Sequence, residues 1–190
     1  MGQLLFSYST NHGSSWSTPD TLDSSVGAIS AHPETLYTIS GGAVAGPVPA
    51  VASNGTVYVA WLYVSGDVSS GNSGQIRIRK ISGGGTYIGP IDTVSNITAA
   101  VLEPFGQFRI TSFPTIAVDQ KTHYIYVAYV EYSSGPDYTV EYTYSTDSGS
   151  NWSTPAVATE TTANWQFFRV VTRICGLQNH LMSKNTRYYY

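Results

Sequence analysis

Short runs of apolar residues, bounded by Gly, Ser, Asn or Pro, follow one another along the chain. Residues 75–79 and 138–144 alternate between apolar and polar positions, which is typical of strands with one buried face. Residues 57–61 and 125–130 are continuously apolar, as expected for strands that are covered on both faces. No segment carries an apolar stripe of helical period longer than two turns. The pattern therefore predicts an all-β fold containing both central and outer strands.

One turn sequence occurs three times and can be aligned without gaps. Residues 9–19 and 145–155 are nearly identical, and residues 80–90 hold a decayed copy that keeps a glycine, an aromatic residue and a proline. A strand–turn–strand pattern precedes the second and third copies, at residues 49–61 and 114–129. Each unit thus comprises four antiparallel strands in roughly 65 to 70 residues, which is the arrangement of a propeller blade with long loops.

The repeat predicts a partial β-propeller of four-stranded antiparallel blades. Residues 1–23 are predicted to form half a blade, and residues 47–95 and 112–159 two complete blades. Met1 falls directly before the third strand of a blade, with no leader-like segment, so we expect the chain to be a fragment. Residues 169–190 break the repeat and are basic, and they are either a disordered or out-of-frame tail or an ordinary divergent C-terminus.

The turn reads Ser-x-Asp-x-Gly-x-x-Trp in its third copy, and each position has a physical role. The Asp147 carboxylate is expected to accept hydrogen bonds from backbone N–H groups of its own turn, and Gly149 to take the positive φ that closes it. Trp16 and Trp152 are expected to fold back as largely buried apolar plugs. Asn11 replaces the acid in the first copy. Its amide oxygen can accept the same hydrogen bonds but carries no charge to strengthen them, so the first turn is predicted to be the weaker. The turn positions are Ser9, Asn11, Gly13 and Trp16, then Gly84 and Tyr87, then Ser145, Asp147, Gly149 and Trp152.

These turn residues resemble the Asp box, or BNR repeat, of the sialidase-like superfamily. The third copy matches all four signature positions, the first has Asn11 for Asp, and the second keeps Gly84 with Tyr87 for Trp. The resemblance covers residues 1–168 and implies a β-propeller whose hairpins carry Asp-box turns. It also implies an extracellular or cell-surface parent protein that processes or binds glycans. The alternative is a structural or adhesive surface propeller without catalysis.

Sialidase chemistry, which the resemblance implies, needs arginines for a substrate carboxylate, a Tyr nucleophile paired with a carboxylate, and an acid/base Asp. Residues 108–111 supply three of the four positions of the family's Phe/Tyr-Arg-Ile-Pro segment, with Thr111 in place of proline. Arg109 is therefore the candidate carboxylate-binding residue, with a solvated loop arginine as the alternative. Arg77 and Arg79 share one strand face and are expected to pair with neighbouring acids. No complete catalytic set can be assigned, and the adjacency of Glu131 and Tyr132 is interpreted as chance.

Aromatic side chains offer a second route to glycan recognition, because flat rings stack on sugars. The alternative is packing within the sheets, where aromatic residues are favoured. Three matches to the N-glycosylation pattern, at Asn54, Asn96 and Asn151, would lie in loops or turns. The candidate platform residues are Tyr37, Tyr58, Trp61, Tyr63, Tyr124, Tyr126 and Tyr129.

Composition excludes several classes of function. With 12 acidic and 9 basic residues among 190, the net charge of -3 lacks the positive footprint of a nucleic-acid binder. No apolar run approaches the roughly 20 residues of a membrane span. The single Cys175 has no disulfide partner, the four His are scattered, and residues 147–151 hold too few oxygen ligands for calcium. We therefore predict no metal, no cofactor and no membrane span. The expected partners are a glycan and either missing blades or another copy, joined through open strand edges, and we expect no sialidase activity from this chain alone.

Overall fold

The fold is known from a computed structural model. It describes residues 2–24, 28–30, 38–40, 42–65, 73–98, 101–102, 110–134, 137–158, 169–170 and 182–183. Within these ranges the chain is all-β, apart from a three-residue 3-10 turn at Gly83–Gly85, so the prediction of an all-β fold is confirmed. The strands are β1 (Gln3–Phe6), β2 (Asp20–Ser24), β3 (Ala28–Ser30), β4 (Thr38–Ser40), β5 (Ala43–Val51), β6 (Val57–Val64), β7 (Gly74–Ser82), β8 (Tyr87–Ile97), β9 (Val101–Leu102), β10 (Ile110–Thr111), β11 (Thr115–Val118), β12 (Ile125–Ser134), β13 (Asp137–Ser145), β14 (Ala156–Val157), β15 (Arg169–Val170) and β16 (Met182–Ser183).

Three antiparallel layers make up the core of the described chain. Layer 1 is the pair β1–β2, layer 2 is the four-stranded sheet β5-β6-β7-β8, and layer 3 is the four-stranded sheet β11-β12-β13-β14. Every strand in these layers pairs with its neighbour in sequence, which is the order that successive hairpins produce. Three further short antiparallel pairs, β3–β4, β9–β10 and β15–β16, lie outside the layers.

The first strand of layer 2 starts earlier than the sequence pattern indicates. β5 begins at Ala43, before Pro47, and its pairing with β6 shifts register between Ala45 and Val48. Gly46 has a φ of 63°, so the backbone bulges there. Because β5 is an edge strand, the bulge lets the prolines lie within the strand without breaking the sheet.

Layer 2 is packed on both of its faces. One face meets layer 1 in an apolar cluster of Leu22, Val59, Trp61 and Ile81, with Leu4 and Phe6 at its margin. The other face meets layer 3 in a larger cluster that includes Tyr58, Ala60, Leu62, Val64, Ile76, Ile78, Ile116, Val118, Ile125, Val127 and Tyr129. The strand β6 is therefore buried on both sides, as its continuous apolar run predicts. In β12, Ala128 and Val130 on the face away from layer 2 are buried as well.

The turns of layers 2 and 3 also touch one another. The hydroxyl of Ser53, between β5 and β6, donates to the carbonyl of Gln120 at 2.9 Å and lies 2.9 Å from Nε2 of His123. The Gln120 amide donates in return to the carbonyl of Val51 at 2.8 Å. These contacts fix the edge of the stack at which the first hairpins of both sheets turn.

Strand pairing places the second turn copy one residue away from its gap-free alignment. Val57 of β6 pairs with Ile81, and Ile125, at the matching position of β12, pairs with Ser145. Ile81 therefore corresponds to Ser145, whereas the sequence alignment puts Lys80 there. The turn of layer 2 spans only the residues between Ser82 and Tyr87, which pair with each other. A one-residue shift moves every side chain to the other face of a strand, so the decayed copy keeps the hairpin but not the loop.

Candidate functional site

The third turn is closed by its own side chains. Asp147 Oδ1 accepts hydrogen bonds from the backbone N–H of Asn151 at 2.9 Å and from the hydroxyl of Ser145 at 2.8 Å. Ser145 Oγ accepts in turn from the N–H of Gly149 at 2.8 Å, and Gly149 has a φ of 92°. The expected bonds from the turn backbone to Asp147 and the expected positive φ are both confirmed.

The first turn has the same network with an amide in place of the carboxylate. Asn11 Oδ1 accepts from the N–H of Ser15 and the hydroxyl of Ser9, both at 2.9 Å, and Ser9 Oγ accepts from the N–H of Gly13 at 2.8 Å. The Asn11 amide donates to Ser15 Oγ at 2.8 Å, where Asp147 instead accepts from the Asn151 amide at 2.7 Å. The two turns thus share their geometry, and only the third has a charged acceptor.

Asp147 acts as a hydrogen-bond acceptor with a strongly acidic carboxyl. Its side-chain bond from Asn151, the backbone N–H of Asn151 and the Ser145 hydroxyl lower its pKa to about 2. Because all three groups donate to the ionised form, they favour it. The group is therefore a carboxylate at any pH near neutral, and it serves the turn rather than proton transfer.

The two turn tryptophans differ in burial. Trp152 packs against the core between layers 2 and 3 and is mostly covered. Trp16 is 66% exposed, so the prediction that it is buried was wrong. The cause is the neighbouring layer: layer 2 covers the face that carries Trp152, while no described residue covers the matching face of layer 1. Tyr87, which follows the shortened turn of layer 2, is also exposed.

A buried carboxylate joins layer 1 to layer 2. Asp23 Oδ2 accepts hydrogen bonds from Nε1 of Trp61 at 2.9 Å and from Nη1 of Arg77 at 3.0 Å. Asp23 Oδ1 accepts from the N–H of Ser24 at 2.8 Å, so both oxygens are used. The guanidinium carbon of Arg77 lies 3.4 Å from the ring centroid of Tyr63, a cation–π contact.

The hydrogen bonds continue from Arg77 to the outer strand of layer 2. Arg77 Nε donates to Oε1 of Gln75 at 2.9 Å, and the Gln75 amide donates to Oδ1 of Asn96 at 3.1 Å. We call the side chains of Trp61, Asp23, Arg77, Gln75 and Asn96 the Asp23 chain. Arg77 thus forms an ion pair with an acid, Asp23, as expected from the sequence. Asp23 itself was missed, because its partners lie 38 and 54 residues away.

Layer 3 repeats this contact with different chemistry. Tyr129 stands at the strand position of Trp61, and its hydroxyl donates to Ser95 Oγ of β8 at 2.8 Å. Glu141 stands opposite Tyr129 as Arg77 stands opposite Trp61, and its Oε2 lies 3.3 Å from the same hydroxyl. Burial, followed by the two acids Glu141 and Glu131, raises the pKa of Tyr129 above its ordinary value despite the opposing Ser95 bond. The phenol therefore stays neutral and links the layers.

The charged candidates for catalysis are largely occupied or outside the described residues. Arg109 lies outside them. Arg79 donates from Nη1 to the backbone carbonyls of Thr21 and Leu22, at 3.0 and 2.7 Å, and not to an acid as expected. Glu131 is buried and accepts a hydrogen bond from the N–H of Thr98 at 2.9 Å. Arg79 and Glu131 thus hold separate segments of the fold together.

Three of the seven candidate platform aromatics are part of the core. Tyr58, Trp61 and Tyr129 are buried, so for these three the packing alternative is correct. Tyr63 lies under Arg77, and Tyr37 falls outside the described residues. Tyr124 is partly covered. Tyr126, also partly covered, forms a ring pair with Tyr144, with centroids 6.1 Å apart.

An exposed aromatic ring that sequence reasoning missed lies beside the first strands of layers 2 and 3. Phe113 is 44% exposed, and its ring covers the bulge of β5 at Gly46. A Cβ at Gly46 would lie 2.3 Å from a ring carbon of Phe113, so only glycine permits this contact. The signal in the sequence is the Gly46-Pro47 pair, which indicates a bulge but not its partner.

The three glycosylation matches differ in how their amides are engaged. Asn54 Oδ1 accepts from the N–H of Thr56 within an exposed turn. Asn96 belongs to the Asp23 chain, and the Asn151 amide is bonded to Asp147. All three asparagines are exposed to solvent.

In the described part of the chain, no three His, Cys, Asp or Glu side chains are grouped as a metal site would need. No helix in that part has the length and apolarity to cross a membrane. No model of a known protein family matches the sequence, and no curated protein matches it either.

Proposed function

We propose that the chain is a segment of a sialidase-like β-propeller from a surface or secreted protein that recognises glycans. In this proposal layers 2 and 3 are complete blades and layer 1 is the outer half of a third. The observation that carries it is the agreement of the hydrogen bonds that the Ser9 and Asn11 side chains accept in the first turn with those that Ser145 and Asp147 accept in the third. The two turns lie far apart in the chain, yet in both of them backbone N–H groups bond to the same two side-chain positions.

We further propose that this chain does not hydrolyse sialosides. Arg77 and Arg79 are engaged by an acid, by an aromatic ring or by backbone carbonyls, and the buried acids Asp23 and Glu131 accept hydrogen bonds from other segments of the chain. A substrate carboxylate would have to displace those partners. Purified protein should give no turnover of a fluorogenic sialoside. Turnover that is abolished by Arg109→Ala would overturn this proposal and make the chain an enzyme.

Glycan recognition is proposed to use the Phe113 ring. The ring is exposed beside the first strands of both sheets and is held in place by the glycine bulge beneath it. In a propeller, first strands line the central channel, where such families bind ligand. Glycan-array screening followed by calorimetry tests this. Phe113→Ala should weaken binding about threefold to tenfold, the worth of one aromatic contact, while Tyr87→Ala, on an exposed outer hairpin, should leave it unchanged.

A structural or adhesive role is the second candidate, and the Asp23 chain favours it. Five polar or aromatic side chains that would suit a ligand site are bonded to each other instead. If no glycan binds to the wild-type chain at millimolar concentration, the structural role replaces glycan recognition. Binding that Phe113→Ala does not alter would instead move the glycan site elsewhere.

A further inference from the structure

The three matches to the N-glycosylation pattern each consist of an Asn, a middle residue and a Ser or Thr, at residues 54–56, 96–98 and 151–153. We call them the acceptor triplets, and they differ in the surroundings of the middle residue. In the first triplet it is Gly55, where an added side chain would meet nothing within 4 Å. In the other two it is Ile97 or Trp152, and both pack in the core between layers 2 and 3. Of the three triplets, only the first has its middle residue in open space.

The turn that carries Asn54 is closed without using its amide nitrogen. The N–H of Gly55 donates to the carbonyl of Ala52 at 2.9 Å, and the N–H of Ala52 donates to the carbonyl of Thr56 at 2.8 Å. Gly55 has a φ of 82°, as the last residue of such a three-residue hairpin loop requires. Asn54 Oδ1 accepts from the N–H of Thr56 at 3.0 Å, while Nδ2 has no hydrogen-bond partner among the described residues. A sugar that replaces one hydrogen on this nitrogen therefore breaks none of the turn's hydrogen bonds.

The triplet at Asn151 is held by its own hairpin. The Asn151 amide donates to Asp147 Oδ2 at 2.7 Å, and its backbone N–H donates to Asp147 Oδ1 at 2.9 Å. Ser153 is bonded as well, because its Oγ accepts from the N–H of Tyr144 at 3.1 Å and lies 3.1 Å from Oγ1 of Thr143. The acceptor pattern needs both the Asn and the hydroxyl residue. This hairpin engages both of them as soon as it forms.

The triplet at Asn96 links two layers. Asn96 lies in strand β8, where its Oδ1 accepts from the Gln75 amide at 3.1 Å. The N–H of Thr98 donates to the buried carboxylate of Glu131 in layer 3 at 2.9 Å. A glycan is bulky and has to lie at the protein surface. At Asn96 it would have to be accommodated beside both of these contacts.

We propose that Asn54 is the acceptor of an N-linked glycan and that Asn96 and Asn151 stay unmodified. The donor is an oligosaccharide joined to a lipid through a diphosphate. The Asn54 amide nitrogen bonds to the anomeric carbon, the bond from that carbon to the diphosphate oxygen breaks, and the lipid diphosphate leaves. The amide gives up one proton to a base of the transferase. Because Thr56 is buried in the folded hairpin, transfer precedes closure of the turn, and the folded chain then holds the glycan in solvent.

This site is separate from the Phe113 ring. Strand β5 runs from the bulge at Gly46 to Val51, which is roughly 15 Å at about 3.3 Å per residue, and Asn54 follows its far end. The glycan therefore leaves the proposed recognition site uncovered. The inference rests on the proposed function only in that the parent protein enters the secretory route, where such transferases act.

Translation of the full chain behind a cleavable secretion leader, with microsomes, tests the proposal because the microsomes supply the transferase and its lipid-linked donor. The wild type should gain one glycan that peptide:N-glycosidase removes, and mass spectrometry should place it at Asn54. Asn54→Gln should abolish the modification, whereas Asn96→Gln should retain it. Mapping on the wild type does not depend on the folding of any variant. A wild type without a glycan, or with one at Asn96 or Asn151, overturns the proposal.

A second pair of variants tests why Asn151 is excluded. Asp147→Ala frees the Asn151 amide and should allow a second glycan there, whereas Asn11→Ala, the matched change in the first turn, should leave a single glycan. If Asp147→Ala gains none, the hydrogen bonds of the turn do not protect Asn151, and that half of the proposal fails. A chain that is modified at Asn54 but binds no glycan on an array would refute glycan recognition and leave this site in place.

Discussion

Trp16 and Trp152 offer a matched pair of substitutions, because they share a turn position and differ in burial. Trp152→Ala removes a ring that packs in the core between layers 2 and 3, whereas Trp16→Ala removes one that is 66% exposed. The two variants lose the same atoms from the same kind of hairpin. Their difference in stability therefore measures what the neighbouring layer contributes.

The magnitude follows from the area that each ring buries. A fully buried tryptophan removes roughly 200 Å² from water, worth about 5 kcal/mol at about 25 cal/mol per Å². Trp152 is mostly buried, but its Nε1 finds no acceptor among the described residues, which offsets part of that gain. We expect Trp152→Ala to lower the free energy of unfolding by about 3 kcal/mol, and Trp16→Ala by about 1 kcal/mol as an upper bound.

Urea denaturation followed by circular dichroism measures both changes, and a common m-value establishes that the midpoints can be compared. Trp152→Phe gives a further check, because it keeps most of the apolar contact and removes the unbonded N–H. Its cost should be under about 1 kcal/mol. Equal losses for the two alanine variants, or a loss greater for Trp16, would refute the assignment of burial to the neighbouring layer. The comparison is made at a concentration where the wild type is monomeric.

Three other predictions follow from the same contacts. Asp23→Ala leaves the buried Trp61 N–H and the partly buried Arg77 guanidinium without their acceptor and should cost about 3 kcal/mol in chemical denaturation; an unchanged midpoint would contradict the interlayer bonds. The pKa of Asp147 is lowered from 3.8 to about 2 in the folded state, so its stabilisation is present above pH 4 or so and is lost as the pH falls through about 2. Asp147→Asn should flatten the dependence of the unfolding midpoint on pH across that window. Gly46→Ala should cost at least about 2 kcal/mol, since strain at positive φ adds to a clash with Phe113, whereas Gly84→Ala, with open space around it, should cost about 1 kcal/mol.

The sequence predicts what is local in this fold. Strand positions follow from runs such as residues 57–61, because an apolar side chain on both faces requires cover on both faces. The turn network of Ser145 and Asp147 lies within five residues of chain and depends on nothing outside it. Asn11 preserves that network because an amide oxygen accepts the same bonds. Local hydrogen bonding can therefore be predicted from residue types and their spacing.

Contacts between layers were not predictable in the same way. Whether Trp16 is buried depends on a neighbouring sheet, and the sequence of its own hairpin does not indicate whether such a sheet covers it. Asp23 and Arg77 are 54 residues apart, and either one alone looks like a solvated surface charge. In layer 2 the run Gly83–Gly85 closes the hairpin in fewer residues. The gap-free alignment therefore misassigned the strand register by one residue and concealed that Ile81 takes the place of Ser145.

The two layer contacts show how a repeat can keep its geometry while its sequence diverges. Trp61 and Tyr129 occupy one strand position and each carries an N–H or O–H at the rim of an apolar ring. Each donates that proton to the strand that follows the repeated turn in the preceding layer, to a carboxylate in one case and to a hydroxyl, Ser95, in the other. What persists is a large aromatic residue with a polar tip, because only such a side chain both fills the interface and reaches across it. The acceptor is free to vary provided that it satisfies the donor, since an unpaired buried donor costs about 1 to 3 kcal/mol. Both the donor ring and its acceptor differ between the two contacts, and in each case the hydrogen bond between layers is made.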